Sequence, residues 1–132
     1  MLKRAEPTRT VTPLPIAQQI ENGIRLVLQI SGPKGKTLAL KMKDRVLVGC
    51  GGAHWELDLD LFPFGGDLAG VSRRHLALFT DGEVIWGEDL NSECGTRING
   101  VVMPPGRQIR LRSGDELALG DLLMTVRIIR AS

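Results

Sequence analysis

Residues 25–30 read Arg25-Leu26-Val27-Leu28-Gln29-Ile30. Leu26, Leu28 and Ile30 fall on one parity, Arg25, Val27 and Gln29 on the other. A period of two is that of a β-strand, whose successive side chains point to opposite faces of a sheet. Working outward, the pattern recurs. Ser31-Gly32-Pro33-Lys34-Gly35 supplies a turn, and Leu38, Leu40 and Met42 resume the alternation, followed by Val46 and Val48. Leu57, Leu59 and Leu61 alternate with Asp58 and Asp60. Leu76 and Leu78 are separated from Val84 and Trp86 by Asp81-Gly82. Ile109 and Leu111 alternate with Arg110 and Arg112; Leu117 and Leu119 lead through Gly120-Asp121 to Leu122, Met124, Val126 and Ile128. About ten short runs broken by glycine-rich turns predict an all-β sandwich of two packed sheets. Asp81-Gly82 and Asn99-Gly100 are expected at tight hairpins, where positive φ is required.

The chain has 132 residues, enough for one domain with a core of its own. Residues 1–22 differ from the rest: Pro7, Pro13, Pro15 and the threonines Thr8, Thr10 and Thr12 accompany no sustained periodicity. They are read as a flexible leader, with the domain spanning 23–132. The three threonines are kinase acceptors or simply leader residues. Seventeen basic against fifteen acidic residues give a formal charge of +2, with the cations spread along the chain. No basic stripe marks a nucleic-acid binder, and an aromatic content of 4% argues against a base-stacking platform. No apolar run is long enough to span a membrane, and the start lacks the apolar stretch of a secretory signal. Two cysteines, Cys50 and Cys94, make no disulfide framework and fit a reducing, cytoplasmic setting.

The stretch 49–71 breaks the rhythm. It holds six of the sixteen glycines and an irregular run, Phe62-Pro63-Phe64-Gly65-Gly66. A long connection inside a compact domain is more often functional than not. Asp58 and Asp60 are read as solvated. Trp55, Phe62 and Phe64 form either a recognition patch or the plug that closes one end of the sandwich.

Three separated pieces carry polar chemistry. They are Val48-Gly49-Cys50, Gly70-Val71-Ser72-Arg73-Arg74-His75, and Asp89-Leu90-Asn91-Ser92-Glu93-Cys94-Gly95-Thr96-Arg97-Ile98-Asn99-Gly100, the last followed by Leu111-Arg112-Ser113-Gly114-Asp115-Glu116-Leu117. Their order and spacing resemble the forkhead-associated (FHA) domain over roughly residues 23–129. That family reads Gly-Arg, Ser-x-x-His, Ser-x-Asn-Gly-Thr-x-x-Asn-Gly and a late Gly-Asp. The resemblance implies an eleven-stranded sandwich whose loops at one end bind phosphothreonine peptides, hence a module for a protein or phosphoprotein partner. It implies phosphate-side roles for Ser72 and Arg73. It implies scaffold roles for Gly49, His75, Gly95, Thr96, Asn99 and Gly100. Three positions depart: Cys50 stands where the phosphate-side arginine is expected, Glu93 where serine or threonine is common, and Cys94 where the peptide-clamping asparagine is expected.

From the residues themselves, Ser72, Arg73 and Arg74 offer a hydroxyl and two guanidinium groups, a cradle for an anion. The bland alternative is a solvated loop in which the arginines pair with Asp67 or Glu88. Arg45 or Arg97 is the alternative source of the missing arginine. Ser72 beside His75 lacks the orienting group and oxyanion loop of a nucleophilic site, so neither a hydrolase nor any cofactor is expected. Cys50, Cys94 and His54 number three zinc-type ligands, but their spacing fits no zinc motif, and no metal is expected. A redox-linked cysteine pair is the other reading of the two thiols. The expected function is therefore phosphothreonine-peptide binding, weakened by the three departures. The alternative is an altered domain that binds an unmodified partner or forms a homo-oligomer.

Overall fold

The computed structural model describes residues 23–33, 35–51 and 56–130. The leader 1–22, with Thr8, Thr10 and Thr12, lies outside them, as do His54 and Trp55. Eleven strands follow in chain order: β1 (Ile24–Ile30), β2 (Thr37–Lys41), β3 (Arg45–Gly49), β4 (Leu59–Asp60), β5 (Leu76–Thr80), β6 (Ile85–Asp89), β7 (Thr96–Ile98), β8 (Val101–Val102), β9 (Gln108–Leu111), β10 (Glu116–Leu119) and β11 (Leu122–Arg130). They form a six-stranded sheet in the order β2-β1-β11-β10-β7-β8 and a five-stranded sheet in the order β4-β3-β5-β6-β9. The expected all-β, eleven-stranded sandwich is what the chain builds.

The alternation sets the layers. Ile24, Leu26, Leu28 and Ile30 of β1 are buried, and so are Leu122, Met124 and Val126 of the antiparallel β11. They face Val46, Val48, Leu76, Leu78, Ile85 and Leu111 of the other sheet in one core. Each such side chain contributes roughly 1.5–3 kcal/mol when fully buried, which is what holds two otherwise independent sheets together.

Turn chemistry differs between the two expected hairpins. Asn99 and Gly100 both take positive φ, 52° and 83°, and close β7 to β8 in two residues. Asp81-Gly82 does not: only Gly82 is positive, and the connection runs for four residues from Asp81 to Val84. Asp81 instead turns the chain with its carboxylate, which accepts the amides of Glu83 and Val84.

Residues 57–61 also depart from expectation. Only Leu59–Asp60 is strand, and it runs parallel to β3. The two aspartates are not simply solvated. The Asp58 carboxylate accepts the Leu47 amide and pairs with Lys43. Asp60 Oδ1 accepts the amides of Gly51 and Phe62. The aspartates thus spend their oxygens on the backbone that an irregular return leaves without ladder partners. After it come a single 3-10 turn (Phe62–Phe64) and one short helix, α1 (Gly66–Ala69). Leu61, fully buried, pins this insertion into the core. Phe64 packs against the core while Phe62 stays 54% exposed, so one phenylalanine closes the end of the sandwich and the other does not.

Candidate functional site

Three connections converge at one end of the sandwich: the return after β3, the insertion leading into β5, and the β6–β7 loop. One close approach holds the first and second together, and another the second and third. A Cβ on Gly49 would lie 1.9 Å from the Arg73 carbonyl oxygen, so only glycine lets the Ser72-Arg73 segment cross β3 there. Gly70, at φ 87°, sits against the Cys94 side chain, where a Cβ would meet Sγ at 2.8 Å. The second and third connections are joined by a hydrogen bond from the Glu93 amide to Ser72 Oγ, 3.0 Å.

His75 stands behind these loops, fully buried. Its Nδ1 accepts the Ser72 amide at 2.9 Å, so that nitrogen carries no proton. Nε2 donates to the Gly95 carbonyl at 3.1 Å. The ring is therefore neutral, with its tautomer set by the two bonds. Burial pushes its pKa down, against the opposing pull of the Gly95 carbonyl and the Asp89 carboxylate. Because Nδ1 engages the amide of Ser72 and not its hydroxyl, the pair is not arranged as nucleophile and base.

Asp89, at the end of β6, organises the β6–β7 loop. It is 1% exposed. Oδ1 accepts the hydroxyls of Ser92 (2.5 Å) and Thr96 (2.6 Å), and Oδ2 accepts the Ser92 amide at 3.1 Å. Ser92 Oγ in turn accepts the Gly95 amide. Burial alone raises the Asp89 pKa, but the Ser92 and Thr96 bonds outweigh it and hold the carboxyl below its usual range. Asp89 and Ser92 lie within the third sequence piece, but neither was given a role there. The signal was present: Ile85, Gly87 and Asp89 share the inward parity of their strand.

The expected residues are distributed as follows. Ser72, His75, Gly95 and Thr96 join one hydrogen-bonded cluster through Asp89 and Ser92, with Gly49 and Cys94 packed at its edges. Asn99 and Gly100 lie at the other end of β7, where the Asn99 side chain donates to Asp115 and accepts the Glu116 amide. Arg73 is exposed; Arg74 reaches Glu56 at 3.7 Å, not Asp67 or Glu88. Both candidate replacement arginines have contacts of their own. Arg45 stacks over Phe79 at 6.0 Å, and it opens β3, five residues or about 17 Å of strand from Cys50. Arg97 donates to the Gly120 carbonyl. Cys50 is buried, and its thiol pKa is raised by burial and by the carboxylates of Asp60 and Asp67. Glu93 and Cys94 are exposed. Among the described residues, no group of three His, Cys, Asp or Glu side chains is placed to hold a metal ion.

Comparison with known proteins decides what this arrangement is. The sequence profile of the FHA domain matches residues 39–120. The chain belongs to the FHA family. FHA domains are interaction modules. This one is 31% identical over 106 residues to the FHA domain-containing protein FhaA of Mycobacterium tuberculosis, an alignment covering 80% of this chain and 18% of FhaA. The FHA domain thus spans less than a fifth of that relative's length. Its fold is similar to the FhaA FHA domain solved in complex with the intracellular domain of Rv3910. There the identity is 31% and the TM-score 0.61, covering 77% of this chain and 99% of that one. A further FHA structure, determined in a study of phosphothreonine-dependent FHA interactions, matches at 32% identity and TM-score 0.61 over 78% of this chain and 95% of that one. Among the described residues, no helix is long and apolar enough to cross a membrane.

Proposed function

We propose that this FHA domain docks a segment of a protein partner across the loops carrying Ser72 and Glu93, with a weakened preference for phosphothreonine. The observation that carries the proposal is Cys50. The family's phosphate-side arginine is replaced by a buried thiol whose neighbours are the carboxylates of Asp60 and Asp67. A guanidinium there would give a charge-assisted hydrogen bond contributing about 1.5–3 kcal/mol. Its loss alone weakens phosphate binding by about ten- to a hundredfold. Glu93 adds an exposed negative charge beside Ser72, which opposes a dianion until salt screens it. Cys94 removes the amide that would clamp a peptide. Ser72, Arg73 and Arg74 remain as the phosphate-side groups, Arg74 sharing its charge with Glu56. Two free thiols, one of them exposed, fit a reducing, cytoplasmic setting.

The test is calorimetry of the full chain with a degenerate peptide library and its phosphothreonine counterpart. The expected result is a small phosphate preference that rises about tenfold or more in Cys50→Arg, and also rises in Glu93→Ser. Glu93→Ser serves as the second variant because it changes an exposed side chain. Tight, phosphate-dependent binding by the unaltered chain, abolished by Ser72→Ala, overturns the weakening. Binding to neither library overturns the module.

A further inference from the structure

The outer face of the five-stranded sheet carries a row of side chains that neither the core nor the loop cluster uses. The strand pairing sets Arg45 of β3 opposite Phe79 of β5, Phe79 opposite Trp86 of β6, and Trp86 opposite Arg110 of β9. Their chain neighbours Val46, Leu78, Ile85 and Leu111 enter the core, so all four point away from it. Both rings are half-buried, yet neither packs against the core cluster. Of the three phenylalanines and two tryptophans in the chain, one of each stands here. The Arg45 guanidinium lies over the Phe79 ring, 6.0 Å from its centre. Among the described residues, neither Arg45 nor Arg110 is within ion-pair distance of a carboxylate. The acids beside the row are engaged elsewhere: Asp58 with Lys43 and the Leu47 amide, Glu88 with the Gln108 side chain at 3.4 Å. The row is thus two aromatic rings between two exposed cations. Tryptophan and arginine are the residue types that most often carry the energy of a protein contact.

The row stands apart from the loops around Ser72. Phe79 lies four residues beyond His75, about 13 Å of strand, and Arg45 is at the opposite end of β3 from Gly49. Three strand-to-strand steps of about 4.8 Å put the two arginine positions about 14 Å apart. An extended chain rises about 3.3 Å per residue, so its residues i and i+4 are separated by about 13 Å and share one face with i+2. We propose that this face docks an extended, acidic segment of a partner protein running across the strands. Its carboxylates at i and i+4 meet Arg45 and Arg110, and an apolar side chain at i+2 rests on Phe79 and Trp86. Charge complementarity selects the occupant. A second copy laid along the row would set arginine against arginine, since the row has a cation at both ends. A nucleobase needs an open ring face, and Arg45 covers that of Phe79. The surface shares no residue with the loops carrying Ser72 and Glu93, so the proposal does not rest on the docking reading of the previous subsection.

The test is an NMR titration of the full chain with unphosphorylated synthetic peptides. Each carries two glutamates with a leucine between them, and the separation of the glutamates is varied from two to six residues. The expected result is tightest binding at a separation of four, with shifts concentrated at the Trp86 indole and the amides of Phe79 and Arg110. Replacing both glutamates by glutamine weakens that peptide about tenfold, and so does the double variant Arg45→Gln, Arg110→Gln. Both arginines are exposed, so the double variant keeps its melting temperature, and the glutamine peptide tests the same contacts on the unaltered chain. Ser72→Ala leaves the binding unchanged. No binding at any separation, binding without a preference for four, or a preference retained in the double variant overturns the proposal. Shifts centred on Ser72 and Glu93 overturn it and leave the loop reading standing. Tighter binding of an oligothymidylate than of the glutamate peptide assigns the row to nucleic acid and overturns it.

Discussion

Replacing Asp89 by asparagine tests whether one buried carboxylate holds the β6–β7 loop. The amide keeps the size but only one acceptor oxygen. In the less costly orientation that oxygen stays at Oδ1, still accepting the Ser92 and Thr96 hydroxyls, and the new NH2 faces the Ser92 amide across 3.1 Å. Two donors then oppose each other, and a bond to a charged acceptor is lost, about 1.5–3 kcal/mol. The two hydroxyl bonds also fall from charged to neutral, roughly halving their strength. The sum is about 3–6 kcal/mol, or roughly 10–20 °C in melting temperature for a domain of this size. Calorimetric melts read the loss, and hydrogen exchange at the Ser92 and Gly95 amides reads its location. The pH profile supplies a second arm. The Asp89 pKa is held below the usual aspartate value of 3.8, so its stabilisation is complete above that value. It is lost as pH falls through the lowered folded pKa, because the unfolded chain binds the proton first. Asp89→Asn removes that acid-labile component. A melting loss under about 2 °C, or exchange unchanged at Ser92 and Gly95, refutes the reasoning.

Three further outcomes are expected. His75 has a folded pKa below the usual histidine value of 6.5, so its contribution is present above that value and is lost as pH falls below it; His75→Gln flattens this limb of a stability–pH profile followed by urea unfolding. Gly49→Ala forces a methyl onto the Arg73 carbonyl, and a loss of more than about 2 kcal/mol in denaturant unfolding is expected. A thiol reagent at pH 8 modifies the exposed Cys94 in the folded chain at a rate near that of a small thiol, while Cys50, buried and raised in pKa, reacts only as fast as the domain opens; labelling followed by mass spectrometry reads both.

The sandwich was legible because β1 and most of β11 obey a period of two: the parity of Leu26 and Leu28 in β1 predicts their burial. The pattern fails where β3, β5 and β10 bury consecutive residues, and in β6, where Ile85 is buried and the expected Val84 and Trp86 are only half-buried. What was not legible is where backbone groups are satisfied by side chains. Asp58 and Asp60 alternate with leucines and read as a solvated strand face. In the fold they accept the amides of Leu47, Gly51 and Phe62, and strand survives only at Leu59–Asp60. Asp81-Gly82 has the composition of a two-residue hairpin, yet the carboxylate of Asp81 stabilises a longer loop in its place. Each case turns on a local side-chain-to-backbone bond competing with the ladder, which periodicity does not register. At the site, motif spacing singled out Ser72, His75, Gly95 and Thr96. The member that joins them, Asp89, needed a different question: why an inward-facing strand position carries a charge.

The bonds that build the site separate what can vary from what cannot. Glu93 engages Ser72 through its backbone amide. Cys94 is fixed by the approach of Gly70 and leaves its remaining surface exposed. Neither side chain completes a hydrogen bond of the frame among the described residues, so substitution there carries little folding cost. The frame itself is a chain of partly buried donors and acceptors, Ser72 amide to His75, His75 to Gly95, Gly95 to Ser92 and Ser92 to the buried Asp89. Breaking any link strands a buried polar group at about 1–3 kcal/mol. A fold arranged this way keeps its loops in place while the chemistry they present changes. That is the physical reason a chain can retain the FHA frame around Ser72 and yet show a thiol and a carboxylate where the family shows polar phosphate-side groups.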